Sequence, residues 1–295
     1  MSVRAQSKPN IDKRNPKFST ALERTNISFM KKTLQIANII AFVATVFINS
    51  LSNTGAINNT TIGDISATSK NLFTPAGYAF SIWGLIYLML FGFIIYQSRS
   101  IFTKVRDDEF ILKTGWWFVL SCFANIMWIT FWLYGFMEYS ILAIFVLLFS
   151  LIKIVIKNRM ELWDAPISVI AFLWWPFVIY SGWVTVASIA NVAAYLTSIA
   201  WSGWGISETI WAVIMIIIAG IINLMVTWKR NMREFAMVGA WALVAISVAN
   251  WDVNQTVAYA AIAVAAILIV SSGYHGFKNK ATGPVNKCRE YFKKT

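Results

Sequence analysis

Eight apolar stretches, each long enough to cross the hydrocarbon core of a bilayer, dominate this chain. A core about 30 Å thick needs roughly 20 residues of helix. The stretches lie near residues 34–51, 75–97, 115–135, 139–157, 166–191, 209–228, 234–250 and 255–273. With 58% hydrophobic and 13% charged residues, the chain is expected to be an integral membrane protein of the cell or inner membrane. The sequence therefore predicts an all-α fold, a polytopic membrane helix bundle with about eight transmembrane helices.

The positive charge of the chain falls almost wholly on one side of this predicted bundle. The formal net charge is +12, and eight spans place both termini on the same side. That side carries 24 of the 25 lysines and arginines, and only Lys70 lies opposite. The positive-inside rule explains this pattern and predicts that both termini are cytoplasmic. The charge therefore indicates topology, so we expect the lipid bilayer as a partner and no nucleic acid.

The polar segments outside the spans suggest how the chain is divided. Residues 1–33 are expected to form a cytoplasmic basic tail without regular structure, and residues 275–295 a second cytoplasmic basic tail. The outer side has one long loop, residues 52–74, which is either a lid over a site or a slack linker. The fifth apolar region runs on toward Ala200, and Pro176 and Gly182 are its candidate kink sites.

Three of the predicted helices carry the same pattern of large amphipathic side chains. Spacing at i, i+3 and i+7 places each set on one helix face. The sets are Phe80–Trp83–Tyr87, Asn125–Trp128–Trp132 and Tyr180–Trp183–Ala187, the last continued by Asn191. Asparagine in a membrane helix needs a hydrogen-bond partner, so these faces should not face lipid. We predict an apolar, aromatic-walled pocket in the outer half of the bundle beneath the 52–74 loop; ordinary core packing is the alternative.

These segments resemble the tryptophan-rich sensory protein family, TspO, also called the translocator protein or peripheral benzodiazepine receptor family. The segment 74–92 is similar to the end of the family's first loop and its second helix. The segments 124–132 and 180–191 are similar to the family's third and fifth helices. The resemblance covers residues 34–200, the family's five-helix bundle, and leaves residues 201–274 as a three-helix C-terminal membrane extension.

The resemblance implies a receptor or carrier for porphyrins and other flat apolar ligands, with sterols in some members. It implies a pocket lined from helices 1, 2, 4 and 5 and closed by the first loop. Together with Trp128 of the second stripe, the expected ligand contacts are Trp83, Asn125, Trp128, Tyr139, Trp183, Ala187, Ala190 and Asn191. The expected loop residues are Pro75, Gly77, Tyr78 and Phe80. A tetrapyrrole is the candidate ligand, and no cofactor is required.

The predicted spans contain almost no ionisable residues, and such residues usually mark ion pathways inside membranes. Because no central carboxylate pair is evident, an ion-driven pump is disfavoured. His275, the only histidine, is expected to be an interfacial residue and not a ligand. Metal-ligand clusters, nucleotide-binding loops and nucleophile motifs are absent from the sequence, so an enzyme is not favoured.

Two other functional classes remain open on the sequence alone. The first is an uncoupled small-molecule transporter that uses all eight spans, and the second is a structural or assembly membrane protein. The last span also carries Ala258, Ala261 and Ala265 at small-xxx-small spacing. This spacing permits close packing within the subunit or across a homodimer, and packing within the chain is our prediction.

Overall fold

The computed structural model describes residues 16–103, 105, 108–280 and 283–294, and this part of the chain is helical throughout, with short connections. The helices are α1 (Pro16–Ser52), α2 (Ile62–Thr68), α3 (Ile82–Phe102), α4 (Phe110–Thr114), α5 (Trp117–Leu133), α6 (Met137–Lys157), α7 (Ile167–Val169), α8 (Trp175–Ser198), α9 (Glu208–Arg230), α10 (Arg233–Asn250), α11 (Gln255–Lys278) and α12 (Pro284–Lys294). Two 3₁₀ turns lie at Gly77–Ser81 and Gly203–Gly205, and a π-helical turn lies at Ile170–Trp174. The all-α fold expected from the sequence is confirmed.

Six helices are long and apolar enough to cross a membrane. They are Thr25–Ser52, Gly77–Phe102, Met137–Lys157, Ile167–Ser198, Glu208–Arg230 and Gln255–Lys278. The other two predicted spans are helices that fall short of these limits. The first, α5, has 17 residues. The second, α10, has 18 residues, of which 11 are buried, since α8, α9 and α11 surround it. An enclosed helix shows little surface to lipid and therefore tolerates more Ala, Gly and Ser.

The helices pack as two groups. In the five-helix ring, α1 contacts α3 and α5, and α6 and α8 complete the circle back to α3. In the three-helix group, α9, α10 and α11 pack on one another. The two groups meet mainly where α10 lies along α8. The aromatic faces of α3, α5 and α8 all belong to the ring.

Contacts between distant loops define the two ends of the bundle. At the loop end, the Asn58 side chain donates to the Leu133 carbonyl (2.8 Å). At the basic end, Lys31 Nζ lies 2.5 Å from Asp108 Oδ1, and Lys287 Nζ lies 2.7 Å from Asp164 Oδ1. Successive long helices therefore run alternately between the two ends, and both Lys31 of α1 and Lys287 of α12 lie at the basic end.

Helical structure extends further into the terminal segments than the sequence suggested. Helix α1 begins at Pro16, so residues 16–33, expected to lack regular structure, continue the first span as a helix. No proline or glycine interrupts residues 17–33, and proline fits the first turn of a helix. Residues 1–15 lie outside the described part. Within the second expected tail, residues 284–294 form α12.

The irregular turn of the fifth span lies before Pro176. Proline lacks an N–H, and its ring clashes with the carbonyl four residues earlier, so it disturbs the preceding turn. The π-helical turn Ile170–Trp174 occupies this position. Gly182, the other candidate kink site, lies inside regular α8 and has a different role.

Gly182 allows α8 and α10 to approach closely. A Cβ atom at this position would lie 3.1 Å from the Phe235 carbonyl oxygen and 3.3 Å from the Val238 Cβ. In α11 the small residues Ala258, Ala261 and Ala265 are also buried, and α11 packs against α10. Small residues in this fold therefore serve helix packing within the chain.

We predict that Gly182→Leu lowers the stability of the protein by about 1–3 kcal/mol, because the added side chain would push α10 away from α8. Gly84→Leu on α3 is the matched control, since an added Cβ there meets nothing within 4 Å. Thermal unfolding of both variants in detergent compares them. An equal loss of stability in the two variants would contradict the close-packing role.

Candidate ligand-binding pocket

A cavity lies inside the five-helix ring at the loop end, between α2, α3, α5 and α8. Its walls are Ile62, Ser66, Ser69, Thr74, Pro75, Phe80, Trp83, Trp128, Trp132, Trp183, Val186, Ala187, Ala190, Asn191 and Ala194. The centre of a water-sized molecule can occupy about 40 Å³ of this cavity. The total unfilled space, which includes the open entrance, is about 570 Å³. We call this cavity the tryptophan pocket.

Eight of the twelve sequence-predicted residues line this pocket. They are Pro75, Phe80, Trp83, Trp128, Trp183, Ala187, Ala190 and Asn191. Neither α1 nor α6 contributes to the walls, although the family resemblance implied both. The pocket is instead formed by three aromatic helix faces and the loop above them.

The other four predicted residues lie elsewhere. Asn125 is fully buried in the polar core next to the pocket. Tyr139 is half exposed on α6, and its ring packs against Phe131 (centroids 5.6 Å apart). Tyr78 packs edge-on against Trp241 of α10 (5.3 Å). Gly77 begins the 3₁₀ turn that precedes α3.

Trp83 is the centre of an aromatic cluster. Its ring stacks on Trp128 (5.9 Å, 29°) and on Tyr87 (5.6 Å, 18°). Trp183 meets it edge-on (6.4 Å, 86°). Aromatic pairs in these geometries contribute about 0.5–1.5 kcal/mol each beyond their burial. These contacts therefore hold the rings of α3, α5 and α8 in defined orientations around the tryptophan pocket.

Two series of buried hydrogen bonds, each called a hydrogen-bond chain here, hold the aromatic helices together. In the first, the Trp128 indole N–H donates to Asn191 Oδ1 (2.7 Å), and Asn191 Nδ2 donates to Ser140 Oγ (2.8 Å). This chain joins α5, α8 and α6. The oxygen and the nitrogen of the Asn191 side-chain amide are thus both hydrogen-bonded within the protein, as a membrane interior requires of asparagine.

The second chain lies deeper, next to the pocket. Asn49 Nδ2 donates to Asn125 Oδ1 (2.9 Å), and Asn125 Nδ2 donates to the Tyr180 hydroxyl (2.9 Å). This chain joins α1, α5 and α8. Asn125 is therefore a helix-joining residue in this structure, although the sequence suggested a ligand contact.

Two donors in the pocket walls have no acceptor. The indole N–H groups of Trp83 and Trp183 are buried and make no hydrogen bond within the described residues. A buried donor without an acceptor costs about 1–3 kcal/mol. Two residues of the pocket wall therefore carry donor groups that the described residues leave without an acceptor.

The segment that covers the pocket, residues 53–76, is called the cap segment here. Its helix α2 starts with a capping box between Thr61 and Asp64, in which each side chain bonds the other residue's backbone N–H. The Trp132 indole donates to the Ile62 carbonyl (3.2 Å) and ties α2 to α5. The 52–74 loop is therefore an ordered cover and not a slack linker.

The three-helix group holds the other side of the cap segment. The Ala76 N–H donates to the Ala245 carbonyl (3.0 Å), and the Leu72 N–H donates to Glu208 Oε1 (3.0 Å). Asn250 Nδ2 donates to the Leu72 carbonyl (3.0 Å). The cover of the pocket is thus anchored to α9 and α10 as well as to the ring.

Sequence reasoning missed seven wall residues, for two reasons. Val186 and Ala194 lie on the Trp183–Ala190 face of α8, so extending that stripe would have found them. Trp132 belonged to the second stripe. The cap residues Ile62, Ser66, Ser69 and Thr74 carry no periodic signal, because the tertiary contacts of the cap segment position them.

Comparison with known proteins identifies a family for this chain. A family model described as TSPO-like protein matches residues 35–274. The chain belongs to the TSPO-like family. The match runs through α9, α10 and α11, so the three C-terminal helices lie within the family match, which the sequence resemblance had limited to residues 34–200. No curated protein and no solved structure matches this TSPO-like chain.

We predict that Asn191→Leu and Trp128→Phe lower stability non-additively. Either change alone leaves a polar group of the other residue without its partner, whereas the double variant removes both. The expected coupling is about 0.5–2 kcal/mol. A double-mutant cycle of unfolding free energies in detergent measures it, and additive losses within about 0.3 kcal/mol would contradict the bond.

Proposed function

We propose that this TSPO-like membrane protein is a receptor or carrier that binds a flat, largely apolar ligand, of the tetrapyrrole or sterol-like class, in the tryptophan pocket. The observation that carries the proposal is that Trp83, Trp128 and Trp183, on three different helices, line one cavity beneath an ordered cover. Small-molecule sites are typically concave and apolar, with few polar groups.

The shape of the walls favours a flat ligand. The indole rings of α3 and α5 line the cavity, whereas Ala187, Ala190 and Ala194 keep the wall that α8 contributes low. A wall of alanines at this spacing leaves a smooth strip along the helix. A planar ring system could lie between this strip and the indoles.

The unpaired indole donors favour a ligand that carries an oxygen acceptor. The N–H groups of Trp83 and Trp183 have no acceptor within the described residues. A carboxylate or carbonyl on an otherwise apolar ligand would relieve this deficit. Protoporphyrin IX combines a flat ring with carboxylates and is a suitable probe.

Ligand entry requires the cap segment to move. The space now open to water centres, about 40 Å³, is far below the roughly 300–1,000 Å³ of typical ligand pockets. The cap segment is the part of the wall that contains no membrane-spanning helix, and five hydrogen bonds hold it: two to α5, one to α9 and two to α10. We therefore propose that it acts as a lid.

We also propose that the basic end lies in the cytoplasm, since lysine and arginine concentrate there. The tryptophan pocket would then open in the outer half of the membrane. Lipid could deliver an apolar ligand sideways to this depth.

We predict that Ala187→Phe weakens protoporphyrin IX binding at least about tenfold, because the added ring fills the space beside Trp183. Loss of a contact worth about 1.4 kcal/mol produces a factor of ten. Titration of the purified protein, followed by quenching of tryptophan fluorescence, measures this binding.

Val192→Phe is the control, since Val192 is on the same helix but does not line the pocket. We expect it to bind like the parent protein. Linear, unsaturable quenching in all three proteins would indicate partitioning into detergent and would refute the proposal. Equal weakening by both substitutions would also count against the assigned site.

We further predict that Glu208→Ala raises the association and dissociation rates of protoporphyrin IX about fivefold. The variant removes the acceptor for the Leu72 N–H, and a hydrogen bond contributes about 1 kcal/mol. Asp252→Ala, an exposed acid in the neighbouring α10–α11 turn, is the matched control. Stopped-flow fluorescence compares them, and unchanged rates for Glu208→Ala would contradict a lid role.

A further inference from the structure

A second, larger cavity lies at the basic end, where the five-helix ring meets the three-helix group. Its walls come from the α6–α7 loop, the π-helical turn, the α9–α10 connection, the end of α11 and the start of α12. About 190 Å³ is open to the centres of water-sized molecules. It shares no residue with the tryptophan pocket. We call it the acidic cavity.

Two glutamates from the two helix groups face this space. Glu161 comes from the α6–α7 loop and Glu234 from the first turn of α10. One carboxylate oxygen of each, Glu161 Oε1 and Glu234 Oε2, is buried and makes no hydrogen bond within the described residues. Burial first, and then the charge of Glu234, raise the pKa of Glu161 to about 8, against the opposing effect of Arg233.

Three indole rings also line this cavity. Trp163, Trp174 and Trp175 line the acidic cavity, and Trp163 meets Trp174 edge-on with centroids 5.3 Å apart. Trp174 is only 2% exposed, and its indole N–H has no acceptor within the described residues. Indole faces attract organic cations, and buried carboxylates require a positive or hydrogen-bonding partner.

The backbone at this site is strained. Glu161 has φ +60°, a left-handed conformation that costs a residue with a side chain about 1 kcal/mol or more. The Asn231 side chain donates to the Glu161 carbonyl (3.0 Å) and holds that conformation from the α9–α10 connection. Strain of this kind is often found at functional sites, as are π-helical turns.

The available ligand groups argue against a metal ion. Within the described residues, no group of three or more His, Cys, Asp or Glu side chains could hold one. Among the described residues, Arg233 also lines the cavity but makes no hydrogen bond to the two unpaired carboxylate oxygens, and Lys287 of α12 is paired with Asp164 (2.7 Å). The unpaired acceptors and aromatic faces therefore match a positively charged organic group.

We propose that the acidic cavity binds a small organic cation of the alkylammonium class, between the carboxylates of Glu161 and Glu234 and the indole rings of Trp163 and Trp174. The ammonium N–H groups would donate to the two unpaired carboxylate oxygens, and the alkyl part would pack on the rings. This site is independent of the function proposed for the tryptophan pocket.

Cation binding here exchanges against a proton. In the free site at neutral pH, Glu161 holds a proton for most of the time. When the cation binds, that proton leaves to solvent and the ammonium charge takes its place, so the net charge of the site is unchanged. The other charged or titratable groups that line the cavity are Asp164, Arg233, Glu234 and His275.

The test is calorimetric titration of the full-length protein in detergent with butylammonium chloride. We expect saturable binding that tightens about tenfold between pH 7 and pH 9, as Glu161 loses its proton. Titrations in buffers of different ionisation enthalpy should show release of about one proton at pH 7. Butan-1-ol, which lacks the charge, and sodium chloride, which lacks the alkyl chain, should give no saturable heat.

The variants separate binding from folding. Glu234→Gln should weaken binding at least about tenfold, since the ammonium group would bond a neutral amide oxygen instead of a carboxylate. Glu161→Gln should also remove the pH dependence. Glu109→Gln is the matched control, an exposed carboxylate at the same end. Trp163→Leu, at a half-exposed position, should weaken binding without a loss of fold.

Three outcomes would overturn the proposal. The first is a heat for butylammonium that is no more saturable than that for butan-1-ol. The second is binding whose strength does not change between pH 7 and pH 9. The third is equal weakening by Glu109→Gln and Glu234→Gln.

Discussion

The close contact between α8 and α10 is the interaction on which the rest of this structure depends. Gly182 lets the two helices approach until α10 backbone atoms lie at van der Waals distance from α8. This contact places α10 under the cap segment at one end and Glu234 beside Glu161 at the other. Both cavities therefore depend on how firmly the two helix groups are joined.

Polar side chains in this protein join helices without using charge. Asn49, Asn125 and Tyr180 link α1, α5 and α8, and Trp128, Asn191 and Ser140 link α5, α8 and α6. Neutral amides and indoles can satisfy one another inside a membrane at lower cost than ions. This explains why the spans carry a defined interior although the sequence contains almost no ionisable residue in them.

Much of the fold and the core of the pocket could be predicted because the residues that form them recur at helical spacing in the sequence. The Trp83, Trp128 and Trp183 faces follow helical spacing, so their convergence could be inferred. Tyr139 and Tyr78 were placed by resemblance alone, and in this structure they pack against Phe131 and Trp241. Contacts made by loops leave no periodic pattern in the sequence, so helical spacing cannot predict them.

The acidic cavity shows the same limit more strongly. Glu161 lies in the α6–α7 loop and Glu234 in the first turn of α10, far apart in the chain, and each is an ordinary polar residue beside a span. Their pairing depends on the docking of α10 against α8, which no local pattern encodes. The sequence argument against carboxylate pairs concerned the middle of the membrane, whereas this pair lies at the ends of helices.

The anchoring of the cap segment has a consequence for the order in which the protein is made. Synthesis proceeds from the N-terminus, so the five-helix ring and its cap segment precede Ala245 and Asn250, which supply two of the cap's bonds. Until those residues leave the ribosome and α10 inserts beside α8, the aromatic cavity stands without its complete cover. The two bonds from α10 are therefore the last of the cap's anchors to form as the chain is made.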